Sequence, residues 1–229
     1  DDISEMSYGG YVLFSFDEKA KPQVHAQISD DLNAMSLQYF IKNWSEAMEE
    51  ISRESFLENG GTWFALHATN ALIDFVDGKA DTPDLAPKFM ELLGSRIIAH
   101  PANQKIGIRV TEVKHPLTSG IEDFEVEDEE PYYCEPLGEQ LVLLEASYNA
   151  PSVGYVRSDY GTDRESHPQM YIRNWGAGSV LYLSLGHCTG KHDMKPLADI
   201  VPVVRGSWNS PTFYELLRRG INWGIGSLK

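Results

Sequence analysis

The chain has 229 residues, 42% of them hydrophobic, which is enough for one sizeable core, and 34 acidic against 19 basic side chains leave a formal charge of -15. That charge repels polyanions and removes the attraction on which binding to nucleic acids or anionic membranes depends. No apolar run reaches the roughly 18 residues of a membrane helix, and no charged-then-apolar leader opens the chain. Cys134 and Cys188 lack metal-type spacing and form no disulfide framework, so a reducing cytoplasm is the expected compartment.

In chain order, Tyr11–Phe16 is a short apolar run that predicts a strand. Leu37, Ile41, Trp44, Met48 and Ile51 then fall at alternating four- and three-residue steps, predicting helix from about 30 to 58 with Ser29 as N-cap. The pair Gly60-Gly61 ends that pattern, and Thr62-Trp63-Phe64-Ala65-Leu66 follows as a buried strand that stops at His67. Ala71–Val76 predicts a short helix, Gly78–Pro87 a polar loop, and 86–93 a helix closed by Gly94. Ile97–Ala99 is apolar and runs into His100-Pro101; Ile106, Ile108 and Val110 alternate as a half-exposed strand does. Lys114–Gly120 is a loop, and the acidic run Phe124–Glu130, which leads into Pro131, Tyr132 and Tyr133, is expected to be a solvated face. Leu141–Leu144 is a buried strand, and Val153–Val156 with Met170–Ile172 predict a hairpin around the polar loop 158–168. Val180–Leu185 is a strand ending at Gly186-His187, and a helix from Pro211 to Trp223 turns Phe213, Leu216, Leu217, Ile221 and Trp223 inward. Strands alternating with helices in the first half and a hairpin-rich second half give one α/β domain over 1–229, with antiparallel additions at one side of the sheet.

His67, His100, His115 and His187 all stand where an apolar run gives way to a loop. In open α/β sheets ligands bind beyond the carboxyl ends of the strands, which is where His67 is expected. With Glu130 these histidines can form an acid/base site, since imidazole titrates near neutrality and a carboxylate can orient it. The same donors can hold a divalent metal, and no HxH or HxxxH spacing decides between the two. A thiol nucleophile is disfavoured: Cys188 adjoins His187 on an extended chain, which points them apart, and Cys134 lies among acids. No GxSxG elbow, phosphate-binding glycine loop or GxGxxG is present.

The ordered set Gly60–Asn70, His100-Pro101, His115-Pro116-Leu117, Glu129-Glu130-Pro131-Tyr132, Gly178–His187 and Tyr214–Trp223 resembles the ThuA-like family, named for trehalose utilisation. The resemblance implies a fold similar to the class I glutamine amidotransferases: a flavodoxin-like, mostly parallel sheet with helices on both faces. Where those enzymes carry a cysteine elbow, this chain has His67-Ala68, so their thiol chemistry is not carried over. It implies catabolism of trehalose or a related, oxidised disaccharide. On the residues themselves, His67, His187 and Glu130 are the catalytic candidates and also the candidate ligands of one divalent metal. His100, His115, Tyr132 and Asn70 are the expected substrate contacts, and Trp63, Tyr132 and Trp175 candidate stacking faces. The alternative is a non-catalytic sugar-binding or assembly module that keeps the fold without the nucleophile. The expected partner is a small carbohydrate, with self-association into a homo-oligomer left open. Two departures from the family pattern stand out. Glu129 replaces a shorter Asp before Glu130, and the usual strand-helix-strand unit ahead of Tyr11–Phe16 is missing, so a shortened or processed chain is expected.

Overall fold

The computed structural model describes residues 13–15, 23–25, 56–189 and 204–228. β1 (Leu13–Ser15) pairs antiparallel with β2 (Gln23–His25), so the first predicted strand is present. The predicted helix over 30–58 lies outside the described residues as far as 55. Residues 56–60 form a turn: Gly60 has φ 95°, its N–H donates to Leu57 O at 3.1 Å, and Gly61 N–H donates to Phe56 O at 2.7 Å.

The main sheet has six strands in the order β3 (Thr62–Leu66), β12 (Gly178–Leu183), β11 (His167–Trp175), β10 (Leu141–Ala146), β7 (Gln104–Val110), β8 (Phe124–Glu129). β3 and β12 run parallel, in register from Thr62 opposite Ser179 to Leu66 opposite Leu183, and the other neighbours are antiparallel. Two-stranded sheets flank it: β4 (Asp74–Val76) with β5 (Lys79–Asp81), and β6 (Ser95–Ala99) with β9 (Tyr133–Pro136).

Alternation along β3 and β12 sends side chains to both faces, and each face carries a helix. On one side Trp63, Ala65, Val180 and Tyr182 pack under α1 (Pro87–Leu93) through Phe89, Met90, Leu92 and Leu93. On the other, Phe64, Leu181 and Leu183 pack under α2 (Pro211–Gly224) through Phe213 and Leu216. The chain is therefore an α/β protein with a large mixed sheet and helices on both faces. Among the described residues no helix is long and apolar enough to cross a membrane.

Several elements differ from expectation for local reasons. In place of the predicted helix Ala71–Val76, residues 71–73 are irregular and Asp74–Val76 is β4, the first strand of the β4–β5 hairpin. Asp77 (φ 50°) and Gly78 (φ 76°) both adopt the left-handed geometry that an Asp-Gly hairpin turn requires. Val153–Val156 forms no hairpin with Met170–Ile172. Tyr155 bridges to Ala80, and Met170–Ile172 belongs to the nine-residue β11, which hairpins with β12 across Gly176 and Ala177. The acidic run is the edge strand β8, with Val126 and Glu129 turned inward. Ile221 is exposed; the buried positions of α2 are Phe213, Leu216 and Gly220.

Candidate active site

β3 and β12, being parallel, end on the same side, and both deliver a histidine there. Beyond Leu66 the chain enters a 3-10 turn, His67–Asn70, with His67 at φ 45°. A non-glycine residue in this region costs about 1–3 kcal/mol and persists only when its surroundings hold it. They do: Thr69 Oγ1 donates to Leu66 O at 2.6 Å, Tyr182 Oη donates to His67 O at 2.7 Å, and His67 Nδ1–H donates to Ser184 O at 2.7 Å. The bond to Ser184 fixes the ring and aims Nε2 away from the sheet.

Nε2 of His67 lies 3.1 Å from Tyr132 Oη and 3.4 Å from Glu130 Oε2. Tyr132 Oη donates to that same Glu130 oxygen at 3.0 Å, and the Tyr132 ring stacks on His67 with centroids 4.8 Å apart. His187, carried past β12 by Gly186 (φ 130°), sets Nδ1 3.3 Å from Glu130 Oε2. His100, just past β6, donates from Nδ1 to Pro101 O at 3.0 Å and sets Nε2 3.4 Å from Glu130 Oε1. Three histidines and a tyrosine thus converge on one carboxylate, supplied by the link between β8 and β9. Glu130 is 16% exposed and His187 9%, against 26% for His100, so His100 is the most open of the set.

Burial alone would raise the Glu130 carboxyl. The hydrogen-bonding His187 and His67 and the charges of His100 and His67 reverse this and hold it well below the usual carboxylate range. Burial pulls His67 down, and the Glu130 carboxylate overrides it, so His67 holds a proton more firmly than a free imidazole. The Glu130 carboxylate and a protonated His67 thus stabilise each other.

Glu129, fully buried, turns the other way. Its Oε1 accepts His187 N–H at 2.9 Å, and its Oε2 accepts Ser207 N–H at 3.0 Å and the Ser207 hydroxyl. The longer acid at this position therefore clamps the backbone of the His187 loop onto the 3-10 turn Gly206–Asn209, and Trp208 Nε1–H closes on Gly186 O at 2.8 Å.

Of the residues singled out from sequence, His67, His187, Glu130, His100 and Tyr132 are together. Asn70 is not among them: its amide donates to Ser95 Oγ at 2.8 Å and accepts Tyr182 Oη at 3.0 Å, wholly buried. His115 lies in a separate cleft of about 690 Å³ with Lys114, Arg218 and Arg219, its Nδ1 accepting Leu117 N–H at 3.2 Å. Trp63 is core against Phe89, and Trp175 stands at the far end of β11 under Arg173. Cys134 is buried and pushed up to about 12, which leaves no thiolate. Two contributors escaped the sequence reading: Ser184, which acts through its backbone, and Tyr155, whose ring packs edge-on against His100 at 5.1 Å; Glu129, noted there as a longer acid, proves to hold the backbone of the site rather than face it. Neither Ser184 nor Tyr155 left a signal in the sequence.

Solved structures similar to this chain include a ThuA-like protein from Parabacteroides merdae, with 17% identity, TM-score 0.44 and coverage of 76% of this chain and 64% of that one. A cold-adapted β-galactosidase from Rahnella sp. R3 shows 12% identity, TM-score 0.44 and coverage of 76% and 20%. A protein of Salmonella typhimurium LT2 described as cytoplasmic shows 13% identity, TM-score 0.41 and coverage of 76% and 58%. The chain thus spans less than two thirds of the length of each. No curated protein matches it. The family model for ThuA, trehalose utilisation, matches residues 11–201, and the chain belongs to that family.

Proposed function

We propose that this protein is an enzyme of carbohydrate catabolism that acts on trehalose or a related, oxidised disaccharide at the Glu130 centre. The observation that carries the reading is the convergence of His67, His100, His187 and Tyr132 on one half-buried carboxylate, joined to a family defined by trehalose utilisation. A purely structural histidine is held by the fold and faces nothing reactive. Here His67 and His100 each tie one nitrogen to a backbone carbonyl and turn the other to Glu130. That division of labour suits proton transfer, with one nitrogen fixing the tautomer and the other meeting the substrate.

In this reading Glu130 anchors the charge of the site and His67 orients it. Tyr132 and the more open His100 exchange protons with sugar hydroxyls. The free thiols Cys134 and Cys188 support a reducing compartment such as the cytoplasm.

The test is product formation from trehalose and from its singly oxidised keto form, followed by chromatography. Glu130→Gln keeps the shape and removes the charge, and it should lower kcat/KM at least a hundredfold with the circular dichroism unchanged; Tyr132→Phe should lower it about tenfold. Unchanged turnover in Glu130→Gln, or no turnover of either sugar by the parent protein, would contradict the proposal.

A further inference from the structure

We infer that His67, Glu130 and His187 form a binding site for one first-row transition-metal dication of the zinc type. The inference deepens the proposed function and rests on the same cluster as its working centre. One donor atom from each of the three residues lies within 4.8 Å of the others. Two of the edges are shorter: His67 Nε2 to Glu130 Oε2 is 3.4 Å and His187 Nδ1 to Glu130 Oε2 is 3.3 Å. Charge-assisted N–H to carboxylate hydrogen bonds close to about 2.7–2.9 Å, so both contacts are long for direct pairing. Bonds of about 2.0–2.1 Å to a tetrahedral zinc place neighbouring donor atoms about 3.3–3.4 Å apart. The histidine-to-histidine edge is the longer one, and the two rings draw together when the ion binds.

The surroundings fit the same assignment. A metal-binding histidine characteristically donates its other N–H to a backbone carbonyl, as His67 does to Ser184 O at 2.7 Å. The Glu130 carboxylate is itself oriented by Tyr132 Oη, and the His187 backbone is locked by Glu129. Two imidazoles and one carboxylate are borderline ligands, which favours zinc, iron(II) or manganese(II) over the calcium and magnesium that prefer all-oxygen shells. Three protein ligands are also the number that leaves a coordination position for water or a sugar hydroxyl.

The full chain, stripped with EDTA and exchanged into metal-free buffer, is titrated calorimetrically with ZnCl2 and separately with MnCl2. Stoichiometry is read by plasma mass spectrometry, and ligand geometry by the visible bands of a cobalt(II) form. One equivalent of zinc is expected, with affinity falling at least a hundredfold in Glu130→Gln and in His187→Gln and staying within twofold in His115→Gln, each variant checked for fold by circular dichroism. Failure of the parent protein to bind either ion, or binding that survives both ligand substitutions, overturns the inference. Sugar turnover by stripped protein that takes up no zinc overturns the metal site and leaves the proposed function standing; zinc uptake at these residues without turnover of any sugar does the reverse.

Discussion

Glu129 and Glu130 are adjacent acids with opposite duties. Glu130 faces the histidines, while Glu129 accepts the backbone N–H groups of Glu130, His187 and Ser207 and the Ser207 hydroxyl in a fully buried setting. Truncating Glu129 to Ala strands those donors, each costing about 1–3 kcal/mol. We therefore expect Glu129→Ala to lose about 3 kcal/mol or more in urea denaturation and to release the His187 loop. A loss below 0.5 kcal/mol, roughly the size of a neutral surface change, would contradict the clamp. His167 supplies a pH signature away from the site. It is buried against Tyr148 and Tyr133, with ring centroids 4.4 and 4.9 Å away, and burial outweighs its bond to Tyr148 O, so its pKa lies below the ordinary 6.5. The unfolded chain then takes up the proton first. The stability that the neutral ring supports is complete above about pH 6.5 and drains as pH falls through the lower folded value. Melting temperatures from pH 7 to 5 should fall less steeply in His167→Phe than in the parent protein; parallel slopes would contradict this.

At the scale of elements, glycines that look interchangeable in sequence do different things. Gly220, on the buried face of α2, lets the helix approach Phe64, where an added Cβ would sit 2.4 Å from the ring. Alanine gains about 1 kcal/mol of helix propensity. Overpacking costs about 1–3 kcal/mol. Gly220→Ala should therefore be net destabilising by thermal melts, and a raised melting temperature would show that α2 packs less closely. The strands with continuous apolar runs, β3, β10 and β12, were legible because a buried strand needs nothing else, and the turn at Gly60-Gly61 was legible because glycine takes a positive φ cheaply. The β4–β5 hairpin was hidden by an apolar stretch that suits a helix as well, although Asp77-Gly78 carried the turn signal. The role of β8 was hidden by its charges: an edge strand exposes one face, so acids alternate with Val126 without breaking the sheet. Within the site, the three strand-end histidines His67, His100 and His187 and Glu130 could be read from sequence, since polar groups at strand ends gather over the sheet. The distances could not, because His67 and Glu130 are 63 positions apart and meet only through the crossing from β8 to β9. His115 sits instead on the loop between β7 and β8, where Arg219 of α2 donates to the carbonyls of Pro116, Leu117 and Ser119, and lines a different cleft.

At the scale of the whole molecule, among the described residues, the sheet separates the two larger cores, one under α1 and one under α2. Leu93 and Leu183 are fully buried on opposite faces. Each Leu→Ala change should cost about 2–5 kcal/mol. The double variant should equal their sum within about 0.5 kcal/mol, measured by urea denaturation, because the sites share no partners. A shortfall of more than 1 kcal/mol would mean that the two layers are coupled through the sheet. The site lies over the carboxyl ends of β3 and β12, so the same framework that supports the two layers also delivers His67 and His187 to one side of the sheet. The measurement that bears most directly on this account is a crystal structure of the protein soaked with trehalose or its keto form. The account predicts sugar hydroxyls against Glu130, Tyr132 and His100, with His67 and His187 within reach of the reacting centre. Sugar bound instead in the cleft of His115, Arg218 and Arg219, with the Glu130 cluster untouched, would contradict it.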